Sequence, residues 1–508
     1  MLYSYRLLAA ALLMVWSVCA TAQTHSRTLP DRMYADSAYA PFLFGVASGD
    51  PAQTRVIIWT RAEVAGPLRW QVAQDSAFTH ILRSGMTYCT AARDYTTQVD
   101  VDGLLPTHHY YYRFTTASGQ NSQTGRALTL PDNSVRHFRL ALVSCSGAWS
   151  GYFNAYRRIA QRDDIDYLVH VGDYIYDDVD PDEHVRMPDP EPQNPSTLAE
   201  WRDRHLYYLL DPDLRQARQN KTWIAEWDNH DNHYSNFEHN ADGLTAFYEY
   251  LPIRMPDTTH PEYIFRRFQF GALADLHMID MYLFRGREDF AAGKKSILGN
   301  VQDAWFKHSL AQSTTTWHLL GNQEMLGSWL SKGIPSSMHP PGDGTYFNPQ
   351  DWDGYADDRL RFYQYLDTAH IHNLVTLTGD LHMSFIIDLA PDPRDRKTYK
   401  RCTGRGSVGV EVLTPSITAG NMDEEHIPRA FIPLFQRISL DLNPHHRWVQ
   451  FWKHGYTIID VTPERCVAQF CYLDILHYSD RETYSRPFVV RTGADHWDRK
   501  KYKKRDFR

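Results

Sequence analysis

The fold class of this chain is decided by the stretch DYLVHVGDYIY, residues 166–176. Residues 166–171 are rich in apolar and β-branched side chains, which is typical of a strand buried on both faces of a sheet. A similar run, HFRLALV, occupies residues 137–143, and a helical pattern over 152–162 separates the two. This alternation of strand, helix and strand predicts an α/β layer domain.

Chemically functional side chains follow the predicted buried strands where each strand ends. The four segments are SCS at 144–146, GDYIY at 172–176, DNHDN at 228–232 and TGDLH at 378–382. Ligand sites in α/β sheets gather beyond the carboxyl ends of the strands. These ends supply carboxylate, amide, imidazole, phenol and thiol groups, and such a set predicts a metal site.

Each of these residues alone has a simpler explanation. A cysteine such as Cys145 is often a small buried hydrophobe, and Asp173 after a glycine is able to cap a helix. Tyr176 alone is explained by packing, and the polar residues at 228–231 and 380–382 by turns. The simpler explanations are weak in combination, because they require four independent coincidences at four strand ends. A buried acidic cluster without a cation also suffers strong repulsion between like charges.

The rest of the chain divides into four predicted regions. Residues 1–22 carry an early arginine, an apolar run and the small residues Ala20 and Ala22, which predicts a secretory signal peptide and export to the periplasm or the outside. Residues 41–131 alternate short β-rich runs with turns, which predicts a fibronectin- or Ig-like β-sandwich. The α/β domain is predicted over 136–478. Residues 479–508 are predicted to form a basic C-terminal tail, because 499–508 carry seven Lys or Arg.

Composition limits the partners. The net charge of −8 gives the chain no general attraction to nucleic acid or anionic lipid. After the signal region the sequence contains no uninterrupted run of about 18 apolar residues, so no membrane span is predicted there. If the chain handles phosphates, it requires a local source of positive charge, for which a metal is the obvious candidate.

The chain resembles the PhoD-like alkaline phosphatase and phosphodiesterase family, within the wider metallophosphatases. The resemblance rests on combined motifs spread over about residues 41–475. Besides the four strand-end segments, they are FGVASGDP at 44–51, RVIIWTR at 55–61, YFNAY at 152–156 and EVLTPSIT at 411–418. The resemblance implies an N-terminal β-sandwich followed by an α/β/β/α metallophosphatase sandwich.

The resemblance also implies a metal centre of iron(III) and calcium. Carried over residue by residue, Cys145, Asp173 and Tyr176 bind iron, and Asp173 bridges to the second metal. The implied cluster is completed by Asp228, Asn229, Asp380 and His382. One departure concerns residues 228–231, which are DNHD where the family more often has DDHE. An amide in place of a carboxylate removes one negative charge, so the identity of the second metal stays open.

The expected activity is phosphodiester and phosphomonoester hydrolysis by a metal-bound hydroxide. His230 is expected to protonate or stabilise the leaving alkoxide, and Asp173 to hold both metals. One alternative is a purple-acid-type phosphomonoesterase, which the GDxxY pattern at 172–176 also resembles. A second is a covalent route through Ser144 or Ser146. The non-enzyme alternative is an exported binding protein with a structural metal. The loops 178–197 and 331–355 are expected to shape the pocket.

Overall fold

The computed structural model describes residues 32–178, 194–232, 237–285, 296–331, 346–348 and 350–503. The signal region and most of the two predicted pocket loops lie outside these residues. Among the helices of the described ranges, none is long and apolar enough to cross a membrane.

The described strands form three sheets. In chain order they are β1 Val46–Gly49, β2 Val56–Arg61, β3 Gly66–Ala73, β4 Ile81–Cys89, β5 Thr96–Val101, β6 His109–Thr116, β7 Gly125–Leu128, β8 Phe138–Val143, β9 Tyr167–Val171, β10 Thr222–Glu226, β11 Arg266–Phe270, β12 Ala274–Met278, β13 Trp317–Asn322, β14 Leu374–Thr378, β15 Ser384–Leu389, β16 Gly409–Leu413, β17 His446–Gln450, β18 His454–Thr462, β19 Arg465–Leu473, β20 Thr483–Tyr484 and β21 Phe488–Arg491.

Helices connect the strands and cover the outer faces of two sheets. They are α1 Asn154–Gln161, α2 Leu198–Tyr208, α3 Pro212–Asn220, α4 Asn229–Asn232, α5 Phe237–Tyr250, α6 Gly299–Gln312, α7 Ala356–Thr368 and α8 Ile432–Leu442. The helical region at 198–220 is divided in two, because the Asp211 carboxylate caps α3 and Pro212 begins it. A proline disfavours helical geometry in the residue before it, so α2 ends upstream.

Two large sheets pack face to face in the catalytic region. The first has the order β20-β19-β18-β8-β9-β10-β1-β2-β5, with β21 also on β19, and the second has the order β11-β12-β13-β14-β16-β15-β17. Strands β8, β9 and β10 run parallel, as do β12, β13, β14 and β16. Such parallel strands are buried on both faces, which explains their near-continuous apolar sequences.

Three apolar clusters define the layers. Side chains of the two sheets, such as Leu142, Val169 and Val375, form the cluster between them. Ile159 and Leu214 belong to the cluster between the first sheet and its helices. The cluster under α6 and α7 covers the second sheet. This order of helix, sheet, sheet and helix confirms the predicted α/β/β/α sandwich.

The N-terminal β-sandwich shares a sheet with the catalytic region. Strands β4-β3-β6-β7 form the third sheet, and its apolar residues pack against those of β1, β2 and β5. Strand β1 is also hydrogen-bonded in parallel to β10 of the catalytic region. The predicted limits 41–131 and 136–478 stay predictions, because the first sheet continues across them.

The C-terminal region differs from the predicted tail. Strands β20 and β21, which lie after residue 479, both pair with β19. Trp497 is buried and its indole N–H donates to the Ile387 carbonyl at 2.9 Å. The basic count at 499–508 did not reveal these strands, because FVVR at 488–491 is a short run with no alternation.

Candidate metal centre

The site lies where β8, β9 and β10 of the first sheet and β14 of the second sheet end. We call Cys145, Asp173, Tyr176, Asp228, Asn229, Asp380 and His382 the strand-end cluster. Potential ligand atoms of Cys145, Asp173 and His382 lie within 4.8 Å of one another, and so do those of Asp173, Asp228 and Asp380. Asp173 belongs to both groups, and its bridging position stays a prediction.

Four members of the strand-end cluster have left-handed backbones. The φ angles are 58° at Cys145, 55° at Asp173, 59° at Asp380 and 60° at His382. This conformation is costly for a residue other than glycine and clusters at functional sites. It turns the chain sharply at the strand end, so that the side chain faces its neighbours from the other strands.

Gly172 allows the turn after β9 to approach the turn after β10 closely. Its φ is +106°, and a Cβ there would lie 2.5 Å from the Cβ of Asp228. A side chain at position 172 would therefore push the end of β10 away from the end of β9. The glycine of the GD pair is explained by this contact as well as by its backbone angle.

Tyr176 and Asn229 are placed differently. The Tyr176 hydroxyl lies 3.0 Å from Nε2 of His382, so the phenol reaches the edge of the group containing Cys145. Asn229 follows Asp228 as the first residue of α4 and is partly exposed. The structure thus brings six predicted ligands into contact or close approach. Asn229 lies at the same strand end because it follows Asp228 directly in the chain.

The electrostatics of the strand-end cluster favour a cation. Asp228 is 1% exposed, and neither of its carboxylate oxygens has a hydrogen-bond partner among the described residues. Burial and the charges of Asp173 and Asp380 raise its pKa well above the usual value. Burial, followed by the Asp173 charge, also raises the pKa of the Cys145 thiol. Positive ions would offset both penalties, so these residues fit a metal.

His230 lies beside this cluster. Its Nδ1 is 2.7 Å from Oδ1 of Asp177, and its ring stacks on Tyr176 with a centroid distance of 4.2 Å. Its backbone N–H donates to Oδ1 of Asp173 at 3.3 Å. Burial alone would lower the pKa of His230, but the charges of Asp173, Asp177 and Asp178 raise it to about 9.

Asp231 links the turn after β9 to the turn after β10 through hydrogen bonds to backbone N–H groups. Its carboxylate accepts from the backbone N–H groups of Asp228 at 3.0 Å, Ile175 at 3.1 Å and Tyr174 at 3.3 Å. These bonds join the turn after β10 to the turn after β9. Burial, followed by the Asp173 charge, raises the Asp231 pKa to about 8. Sequence reasoning noted this residue only as a loop carboxylate.

Sequence reasoning missed two further groups at the site. Asp177, which orients His230, follows directly after the GDYIY segment. Arg285 pairs with Glu324 at 2.5 Å, and both act electrostatically on Asp228. Glu324 lies two residues after the end of β13, so the strand-end rule applied to that strand would have found it. Burial raises its pKa to about 7 although Arg285 opposes this.

The fold and the cluster together define a class, namely a two-sheet α/β enzyme with a candidate metal centre at the carboxyl ends of its strands. The model of the PhoD-like phosphatase family matches residues 140–470, and the model of its N-terminal domain matches residues 15–131. The chain therefore belongs to the PhoD-like phosphatase family, and it is a phosphoester hydrolase.

Two known proteins extend this comparison. Alkaline phosphatase D of Bacillus subtilis (strain 168) is 29% identical over 500 residues, which cover 89% of this chain and 79% of the relative. A solved structure described as the structure of PhoD is 27% identical with a TM-score of 0.77, and the match covers 92% of this chain and 94% of that one. The similarity thus spans the β-sandwich and the catalytic sheets together.

Proposed function

We propose that the protein is an exported, metal-dependent phosphoesterase that hydrolyses phosphodiesters and phosphomonoesters. The observation that carries this proposal is the trio Asp173, Asp228 and Asp380, whose carboxylate oxygens lie within 4.8 Å of one another. A cation is the simplest compensation for three such groups, and phosphate esters need positive charge to be attacked. The family comparison supplies the substrate class.

The proposed metals are iron(III) and calcium, held by the strand-end cluster. Thiol, phenol and imidazole groups lie together at Cys145, Tyr176 and His382, which suits iron, whereas the carboxylates of Asp228 and Asp380 suit a hard cation. When bound, such ions supply Lewis acidity that neutralises phosphate charge and activates water.

His230 is proposed as the proton donor to the leaving oxygen. Asp177 engages Nδ1 of the ring, so Nε2 is the nitrogen that is able to carry a proton to a bound ester. Stacking on Tyr176 fixes the plane of the ring beside the strand-end cluster. An acid with a pKa raised toward 9 keeps its proton on the alkaline side of neutrality. This supports activity in alkaline solution.

Paired substrates test the proposal. Purified protein would be assayed with bis-p-nitrophenyl phosphate and p-nitrophenyl phosphate at acidic, neutral and alkaline pH, with metal content measured on the same sample. We expect kcat/KM for the diester to equal or exceed that for the monoester, with an alkaline optimum. The charged ligands of the strand-end cluster offset much of the metal charge, so a dianionic monoester gains less there. A strong monoester preference with an acidic optimum would instead favour a purple-acid-type enzyme.

A further inference from the structure

A second group of metal-ligand side chains lies apart from the strand-end cluster. It consists of Asp423 and Glu424, in the loop between β16 and α8, and His454, the first residue of β18. Potential ligand atoms of these three residues lie within 4.8 Å of one another. Their side chains are only 7%, 11% and 5% exposed. Two half-buried carboxylates beside a buried imidazole form an unusual combination unless a cation holds them.

The hydrogen bonds of His454 direct one ring nitrogen toward the carboxylates. The Ser416 hydroxyl donates to the Ala419 carbonyl at 2.6 Å, so its oxygen accepts from Nδ1–H of His454 at 2.9 Å. In the neutral imidazole this leaves a lone pair on Nε2. That nitrogen lies 3.3 Å from Oε2 of Glu424, which is also an acceptor. Two facing acceptors require a positive charge between them, either a proton or a metal ion.

The second carboxylate favours the metal ion. Oδ2 of Asp423 accepts from Nε of Arg429 at 2.7 Å, whereas Oδ1 is buried and receives no hydrogen bond from an N–H or hydroxyl group of the described residues. Burial, the neighbouring Glu424 charge and a hydrogen bond with the Glu424 carboxylate raise the pKa of Asp423. Without a metal ion, Asp423 must share one proton with Glu424 in addition to the proton between Glu424 and His454, whereas one metal ion would replace both protons.

The spacing also suits a small tetrahedral ion. Nitrogen and oxygen ligands at about 2.0–2.1 Å from zinc, at a tetrahedral angle, lie about 3.3 Å apart. A charge-assisted N–H···O⁻ hydrogen bond is shorter, at about 2.7–2.9 Å. The observed 3.3 Å between Nε2 and Oε2 matches the first value. An open surface pocket of about 410 Å³ is lined by Asp423 and Glu424 but not by His454, so an ion would reach the group from the carboxylate side.

We propose that Asp423, Glu424 and His454 hold a divalent transition-metal ion of the zinc class. The ion would tie β18 to the loop that positions His382. That loop supplies the Gly420 carbonyl, 2.5 Å from Nδ1 of His382, and the Asn421 amide, which donates to the His382 carbonyl at 2.9 Å. The proposed ion is thus a structural brace beside the strand-end cluster, and it is independent of the metals in that cluster.

Zinc uptake tests the proposal. Wild-type protein, Asp423→Asn and Arg429→Gln would be stripped with a chelator, dialysed against Zn²⁺ and analysed for zinc per chain by mass spectrometry. Arg429→Gln is the matched control, because it removes the same ion pair and keeps the ligand oxygens. We expect Asp423→Asn to bind about one zinc ion fewer per chain than the other two. Equal uptake by all three proteins would overturn the proposal.

Two additions keep the result decisive. The same comparison in an Asp173→Asn background separates this site from the strand-end cluster, and the difference in zinc should persist there. If Asp423→Asn folds poorly, Glu424→Gln replaces it, with circular dichroism as the check. Zinc should also raise the Tm of wild-type protein and Arg429→Gln but not that of the ligand variants. A Tm that ignores zinc in every protein would show that a shared proton holds the group.

Discussion

The phenolic oxygen of Tyr176 lies 3.0 Å from Nε2 of His382, although 206 positions separate the two residues in the chain. Tyr176 follows β9 of the first sheet, and His382 follows β14 of the second. The contact therefore bridges the two halves of the catalytic sandwich. Because His382 and Cys145 both approach Asp173, the phenol stands where an iron ligand is expected.

Tyr176→Phe tests that expectation by colour. A phenolate bound to iron(III) gives visible charge-transfer absorption, so iron-loaded wild-type protein should be coloured and the variant should lose or shift the band. Tyr174→Phe is the control, because the Tyr174 hydroxyl instead accepts from Arg218 at 2.8 Å. A colourless, iron-free protein with full activity would refute the assignment.

Asp173→Asn should be the most damaging single substitution in the strand-end cluster. Asparagine tolerates the left-handed backbone at this position, so the fold should be kept while the charge shared by both ligand groups is lost. We expect loss of bound metal and a fall in kcat/KM of at least about 100-fold. Metal analysis, circular dichroism and assays would be compared with Asp163→Asn, whose side chain is 94% exposed. Near-normal turnover would be incompatible with the proposed site.

His230→Ala should affect substrates according to their leaving groups. A poor alkoxide leaving group needs a proton, whereas p-nitrophenolate leaves without one. We expect losses of about 100- to 10 000-fold for alkyl esters and much smaller losses for p-nitrophenyl esters. His308→Ala, on α6, is a control outside the strand-end cluster. Equal losses for both kinds of ester would argue against a role as proton donor.

Asp177→Asn should move the alkaline limb of the pH profile. The proposed donor must be protonated, so activity falls as pH rises through the His230 pKa. The Asp177 charge raises that pKa, and its removal lowers it. The alkaline limb should therefore shift to lower pH, measured as kcat/KM against pH with an alkyl ester. A shift to higher pH, or none, would contradict the proposed pair.

The mature protein should begin at Gln23. Ala20 and Ala22 supply the small side chains that signal peptidase requires, and an apolar run precedes them. N-terminal sequencing of the exported protein would check this, and an Ala22→Asp variant should accumulate uncleaved. Exported protein that retains Met1 would contradict the prediction.

Much of the site was predictable because strand ends are local features. A buried parallel strand is visible as a continuous apolar run, and the residues that follow it must emerge at one edge of the sheet. This reasoning identified Cys145, Asp173, Asp228 and Asp380. It was applied to four strands only, so Glu324 after β13 was missed. Asp177 was missed because its partner His230 belongs to a different strand end.

Most of the elements before residue 479 follow from local sequence, since apolar periodicity, caps and glycines act within a few residues of one another. Tertiary structure decided which elements meet. The Ile417 amide donates to the Ser144 carbonyl at 2.9 Å, β1 joins β10, and β21 pairs with β19. It also decided the grouping of Asp423 and Glu424 with His454. Long-range pairing depends on the packing of whole sheets, and no local pattern of residues specifies the partner of a strand.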